Sequence, residues 1–526
     1  MLQPLDHRSG KPRRGPRTRY RVLASVVLLQ LLAALLVLLV APGGATTPGA
    51  LRPSGNVDRA TVSGAETATD RRDPAPTAAQ PASAVPPGGV PAPPVPGPPT
   101  LPGLPTAPGG QPAGPAPSAG SPLLLPQQDS AGRVEARTAA VRDLLTRRGA
   151  AVLDRDEAAF LATVDPAATA LRARQAALFA ALEPVPLSTW TYVLDPTSEQ
   201  PPDPRLDRAY GAGRWWAPRV LLETALAGVD DRPTVTVQHL TFVERDGRWL
   251  LAADDDFAAA GLVTQRALWD QGPVVAEQVD DVLVLGRPED RPLLREVAVT
   301  TAAAVPRVTA AWGNDWRRGV VVLVPGSGAE LAELFGSQDD LGAIAGLAIA
   351  ELGDAARGEG PTGERILLHP EVFAGLSPTG RRLVLTHELT HVAARRASGP
   401  AVPTWLAEGY ADHVGYSGLS LSLSVTAAAL QADVRAGRLP DRLPVDADFG
   451  PENPALAQAY EQSWLFVELL AEQYGEDGLL RFYRAVGRDR GTDPAAAVER
   501  ALRAELGTTT ARLTADWRAA LQRDLG

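Results

Sequence analysis

The chain has 526 residues, 45% apolar and 21% charged, a balance that supports folded sequence and leaves room for about two or three domains. It has no cysteine, which excludes disulfide frameworks, thiolate metal sites and cysteine nucleophiles, so any metal must be held by Asp, Glu or the six His. The net charge is −10, yet residues 1–21 carry seven basic side chains against the one acid Asp6, leaving −16 for the rest. A body that acidic excludes nucleic acid as its main partner.

Residues 22–41 form an apolar run broken only by Ser25 and Gln30. At 1.5 Å per residue such a run is long enough to cross a bilayer core of about 30 Å. The basic flank before it and the scarcity of charge after it predict a single transmembrane helix, with residues 1–21 as a cytoplasmic tail and everything beyond outside the cell membrane. The alternative is a secreted protein released by signal cleavage near Gly43, Gly44 and Ala45. From Pro74 to Pro126 there are 19 Pro in 53 residues, so residues 42–128 read as a disordered, Pro-rich linker.

Folded sequence is expected from residue 129. Helical spacing over 132–148 and 153–163 gives way to strand patterns at Trp190–Leu194, Val220–Ala227, Thr234–Glu244 and Trp249–Asp254, with Asp246-Gly247 as a hairpin turn. Over residues 129–257 this order resembles the cone-shaped fold of nuclear transport factor 2-like domains. Trp190, Trp215, Trp216 and Trp249 could line a pocket in such a cone, and are expected mainly to pack its core and rim. Next come strands at Val274–Leu285 and Gly319–Val324 around a long helix from Glu289 to about Ala311, then a short strand at Arg365–His369. Beyond residue 378 the pattern is helical. The whole predicts an α+β fold whose carboxyl-terminal part, 258–526, has two halves facing a cleft.

The chemistry concentrates at His387-Glu388-Leu389-Thr390-His391. Ser377-Pro378 reads as a helix start, Arg395 and Arg396 suit its negative carboxyl end and Gly399-Pro400 is its stop, so this HExxH sequence sits mid-helix. Spaced by four residues, the two His share one face and can reach one ion, with Glu388 turned toward a water on it. A catalytic zinc site needs a third protein ligand, and Glu408, in a second helix that Thr404 can cap, supplies a carboxylate. Gly409 beside it suits close helix approach, and Asp412 lies one turn on, within reach of a ligand imidazole.

The pair HELTH and WLAEGYAD, over about residues 260–526, resembles the gluzincin metallopeptidases of the peptidase MA-like branch. The resemblance implies one Zn2+ held by His387, His391 and Glu408, with Glu388 as general base and Asp412 behind the ligands. It also implies that Tyr460, on a later helix, steadies the oxyanion, although Tyr460 fits an apolar stripe with Leu456, Trp464 and Val467 equally well. The strand RILLH, Arg365–His369, is expected to be the edge that pairs with an extended peptide or protein substrate outside the cytoplasm. Two other functions keep the same residues: an inactive binding module, or a zinc hydrolase acting on a cell-envelope amide. His7, His239 and His369 read as structural, and His413 as a candidate on the substrate side.

Overall fold

Short runs of β-branched and aliphatic residues fold into strands in the computed structural model of the chain, which describes residues 25–28, 127–336, 344–351 and 360–526. The first strand, β1 (Ser25–Leu28), falls inside the expected membrane helix. Its sequence SVVL suits a strand as well as a helix, and it extends along a sheet edge instead. The rest of 22–41, the tail 1–21 and the linker to residue 126 lie outside the described residues. No described helix is long and apolar enough to cross a membrane.

The first helix, Gln127–Leu153, begins two residues inside the predicted linker. With a second helix, Thr169–Ala181, it packs on six strands: β2 (Leu187–Glu199), β3 (Trp215–Trp216), β4 (Pro218–Leu226), β5 (Thr234–His239), β6 (Thr241–Arg245) and β7 (Arg248–Ala253). These form two antiparallel sheets, ordered β2-β4-β5 and β3-β6-β7. The strand expected over 234–244 is therefore two, divided at Leu240, where the chain passes between sheets. Leu240 and Phe242 are both buried in one cluster, whereas Val235 and Val237 of β5 are half-buried. Asp246 and Gly247 turn with positive φ, as their pairing demands. The outer edge of β5 is closed: its amides at Val235, Val237 and His239 donate to Glu351, Gln265 and Thr264 side chains.

The second half is built on β8 (Val275–Val279), β9 (Val282–Gly286), β10 (Val320–Val324), β11 (Ile344–Glu351) and β12 (Thr362–Leu368). With β1 they make one mixed sheet in the order β1-β11-β12-β10-β9-β8. The strand expected over 274–285 is a hairpin, turning at Asp280 with φ 50°. RILLH is not an edge: β12 lies between β11 and β10, and the strand beyond it is β11. The helix Arg291–Trp312 follows β9 and packs on the later helix Pro378–Ala394; Val297, Val308 and Trp312 join Leu385 and Leu389 in the largest core. The chain is thus α+β.

Both halves share a second core, where Leu178, Trp190 and Leu222 meet Leu283, Leu285 and Val321. Arg365 also grips Asp230 across the junction with two bonds of 2.8 and 2.7 Å.

Candidate metal centre

The helix Pro378–Ala394 starts where its sequence says it should: the Ser377 side chain accepts the Gly380 amide and Pro378 takes the first turn. Every residue from Leu383 to Ala394 is buried, so the HExxH segment lies inside the protein. The return helix, Thr404–Tyr416, is capped differently from the expectation. Thr404 is its first residue, and Asp446 accepts from the Thr404 amide and hydroxyl at 3.0 and 2.9 Å.

These two helices bring three donor atoms together. His387 Nε2 is 3.0 Å from His391 Nε2, and Glu408 lies 3.3 and 3.4 Å from the two nitrogens. The three residues are buried and can hold a metal ion. A tetrahedral ion with bonds of about 2.0–2.2 Å separates its ligand atoms by about 3.4 Å, so the triangle fits. Three buried lone-pair donors facing one another are balanced by a cation between them.

Asp412 sits where the sequence places it, with its carboxylate 2.8 Å from His387 Nδ1. The Nδ1–H donates to Asp412 and leaves Nε2 free for an ion, which fixes the tautomer. Asp412→Asn should lower metal affinity about 10- to 100-fold with the fold intact, read by competition with a chelating dye; unchanged affinity would remove Asp412 from the site.

Charge at the site is finely balanced. Burial pushes Glu388 up to about 8, with His387 opposing and Glu408 adding to the rise. Burial would also raise Glu408, but the two imidazoles, His391 first, hold it down at about 2. Burial lowers His391, whereas in His387 burial is outweighed by the carboxylates of Asp412, Glu408 and Glu388 together, which raise it. A divalent ion would draw the carboxyls down and keep the imidazoles neutral.

Two residues escaped the sequence reading. Gly346 of β11 makes room for the base: a Cβ there would lie 3.1 Å from Glu388 Cγ and 2.9 Å from Val384 Cγ1. Arg395, assigned by sequence to the helix terminus, is only 6% exposed and donates to the Ala348 carbonyl of β11 at 2.7 Å. It lies one turn after His391, on the inward face, which was the available signal.

Tyr460 is placed in an apolar cluster with Leu331, Ile344, Leu347, Leu367 and Leu456, its ring edge-on to Phe449. Of the expected stripe only Leu456 shares this cluster, while Trp464 and Val467 belong to the largest core. Of the four tryptophans considered for a cone pocket, Trp190 is in the shared core and Trp216 in a buried cluster with Val220, Phe242 and Leu251. His369 packs under Gly328, and His239 is half-buried.

His413 bridges Glu468 and Glu476, each at 3.0 Å, on either side of a kink at Gly475 in the long helix Leu456–Arg488. Burial disfavours its charge, but the two carboxylates prevail and raise its pKa above 6.5. The stabilisation is therefore full below pH 6.5 and is lost as pH rises through the raised folded value. His413→Asn should lower Tm by about 2–4 °C at pH 6 and by much less at pH 9; an equal loss at both would mean packing alone.

In comparisons with known proteins, no family model and no curated protein matches this chain, so the geometry of His387, Glu388, His391, Glu408 and Asp412 carries the functional argument.

Proposed function

We propose that the chain is a zinc-dependent peptidase of gluzincin type, acting outside the cytoplasm. The observation that carries this reading is the convergence of His387 Nε2, His391 Nε2 and the Glu408 carboxylate within 3.0–3.4 Å, with Glu388 on the next helical position. Two imidazoles and one carboxylate are a donor set suited to zinc with a fourth position open. The ion, when bound, would polarise the scissile carbonyl and acidify water near neutral pH.

The protein's own groups do the rest. Glu388, fully buried, takes a proton from the attacking water and delivers it to the leaving nitrogen. Asp412 keeps His387 in register through its 2.8 Å contact. Tyr460 is the candidate donor to the oxyanion, a role that requires its hydroxyl to reach out of the apolar cluster around its ring. An extended substrate would lie along β11, beside Glu388, in the place where Ser25–Leu28 pair. Insertion of residues 22–41 into a membrane would leave that edge open.

The test is hydrolysis of a quenched fluorescent peptide library by the full, zinc-loaded chain. Cleavage stopped by 1,10-phenanthroline and restored by zinc is the expected result. A zinc-loaded chain that leaves the library intact would favour a binding module or an envelope amidase.

A further inference from the structure

A cavity among the described residues stands apart from the metal centre. It lies between the cone-like half and the mixed sheet, has a volume of about 450 Å³, and is walled by β4, β5 and the segment Val263–Trp269 on one side and β11 and β12 on the other. That volume falls in the range of small-molecule sites. Leu285, Leu323, Leu334, Phe335, Leu367 and Trp269 give it an apolar body.

Its charged groups are unequally satisfied. Arg365 is taken by Asp230 at 2.8 and 2.7 Å, and Arg266 by Asp254 at 3.0 Å. Glu333 accepts from the Gln271 side chain at 3.0 Å. Glu351 is different. Among the described residues its two oxygens share one donor, the Val235 amide, 3.0 Å from each. A carboxylate can accept about four hydrogen bonds, so most of its capacity is unused. Among the described residues both cationic side chains of the lining are matched, which leaves that part of the wall with surplus negative charge.

We propose that this cavity binds a cationic amphiphile, its apolar body against the leucines, Phe335 and Trp269 and its ammonium head on Glu351. A carboxylate in an apolar wall with one donor is costly as a charge, and a ligand ammonium removes that cost. Burial pushes the Glu351 carboxyl up to about 7, only partly offset by the Val235 amide and Arg365, with Asp230 adding to the rise. The occupant would touch Ile349, Ala350 and Glu351, the end of the strand whose Gly346 faces Glu388. The site stands independently of the peptidase reading, because it shares no residue with the metal centre.

The test is calorimetric titration of the full chain at pH 8 with 4-phenylbutylammonium, beside 4-phenylbutanol and 4-phenylbutyrate. The cation is expected to bind with a Kd of about 1 mM or tighter, and about tenfold more tightly than either comparator. Glu351→Gln should erase that preference. Leu334→Trp, which fills the apolar end, should abolish binding of all three while metal content stays at the parent level. Absence of saturable binding, a preference for the carboxylate, or cation binding unchanged in both variants would overturn the proposal.

Discussion

Glu388→Gln is expected to lose about 10²- to 10⁴-fold in turnover on any peptide the chain cleaves, while metal content stays at the parent value. The side chain is fully buried, so the amide keeps its shape and packing but has no basic oxygen with which to take a proton. Stability separates this from a folding defect. Burial raises the Glu388 carboxyl to about 8, so the folded state favours the protonated form. Below the unfolded value near 4.5 both states carry the proton and the group contributes nothing. Between that value and about 8 the unfolded state ionises while the native carboxyl keeps its proton, so the native state is progressively penalised, and the neutral amide removes that penalty. In the metal-free protein, Tm of the variant at pH 8 should therefore equal or exceed that of the parent. A variant that turns over as fast as the parent would refute the role of Glu388, and one that loses metal would show a structural effect instead.

The second large effect is expected at Gly409, one residue past Glu408. A Cβ there would lie 2.5 Å from the Ser463 carbonyl oxygen, 2.8 Å from its carbon and 2.9 Å from Val467 Cγ2. The obstacle is mostly backbone of the long helix, which cannot swing aside as a side chain can. Gly409→Ala should force the two helices apart at a cost of about 1–3 kcal/mol. Because Glu408 rides on the displaced helix, metal affinity should fall together with the denaturation midpoint. Retention of both would mean that the helix contact is softer than its geometry indicates.

How far the sequence led can be judged from particular elements. The metal helix was legible because its start, its stop and its HExxH spacing are local signals, each tied to one or two neighbouring residues. Glu408 and Asp412 were legible because a helix fixes what stands one turn apart. What failed depended on partners distant in the chain. β11 is rich in Gly and Ala, carries weak strand propensity, and is held by β12 and by Arg395, so nothing local marked it. Missing β11 made RILLH look like an edge. The division of 234–244 was hidden because β-branched and aromatic residues run through both pieces, although only the second buries its apolar side chains. Thr404 looked like a cap because the residue that does cap, Asp446, lies 42 positions away. Arg395 ends the metal helix as its sequence suggests, but its acceptor, the Ala348 carbonyl, belongs to a strand that the sequence did not reveal.

The central claim is that His387, His391 and Glu408 form one metal site. Its most direct test is metal content by inductively coupled plasma mass spectrometry on the purified full chain and on Glu408→Ala, both exposed to zinc and then dialysed. The expected result is about one zinc per parent chain and a small fraction of that in the variant. A parent free of metal, or a variant that holds as much zinc as the parent, would contradict the three-ligand site and the hydrolytic function built on it.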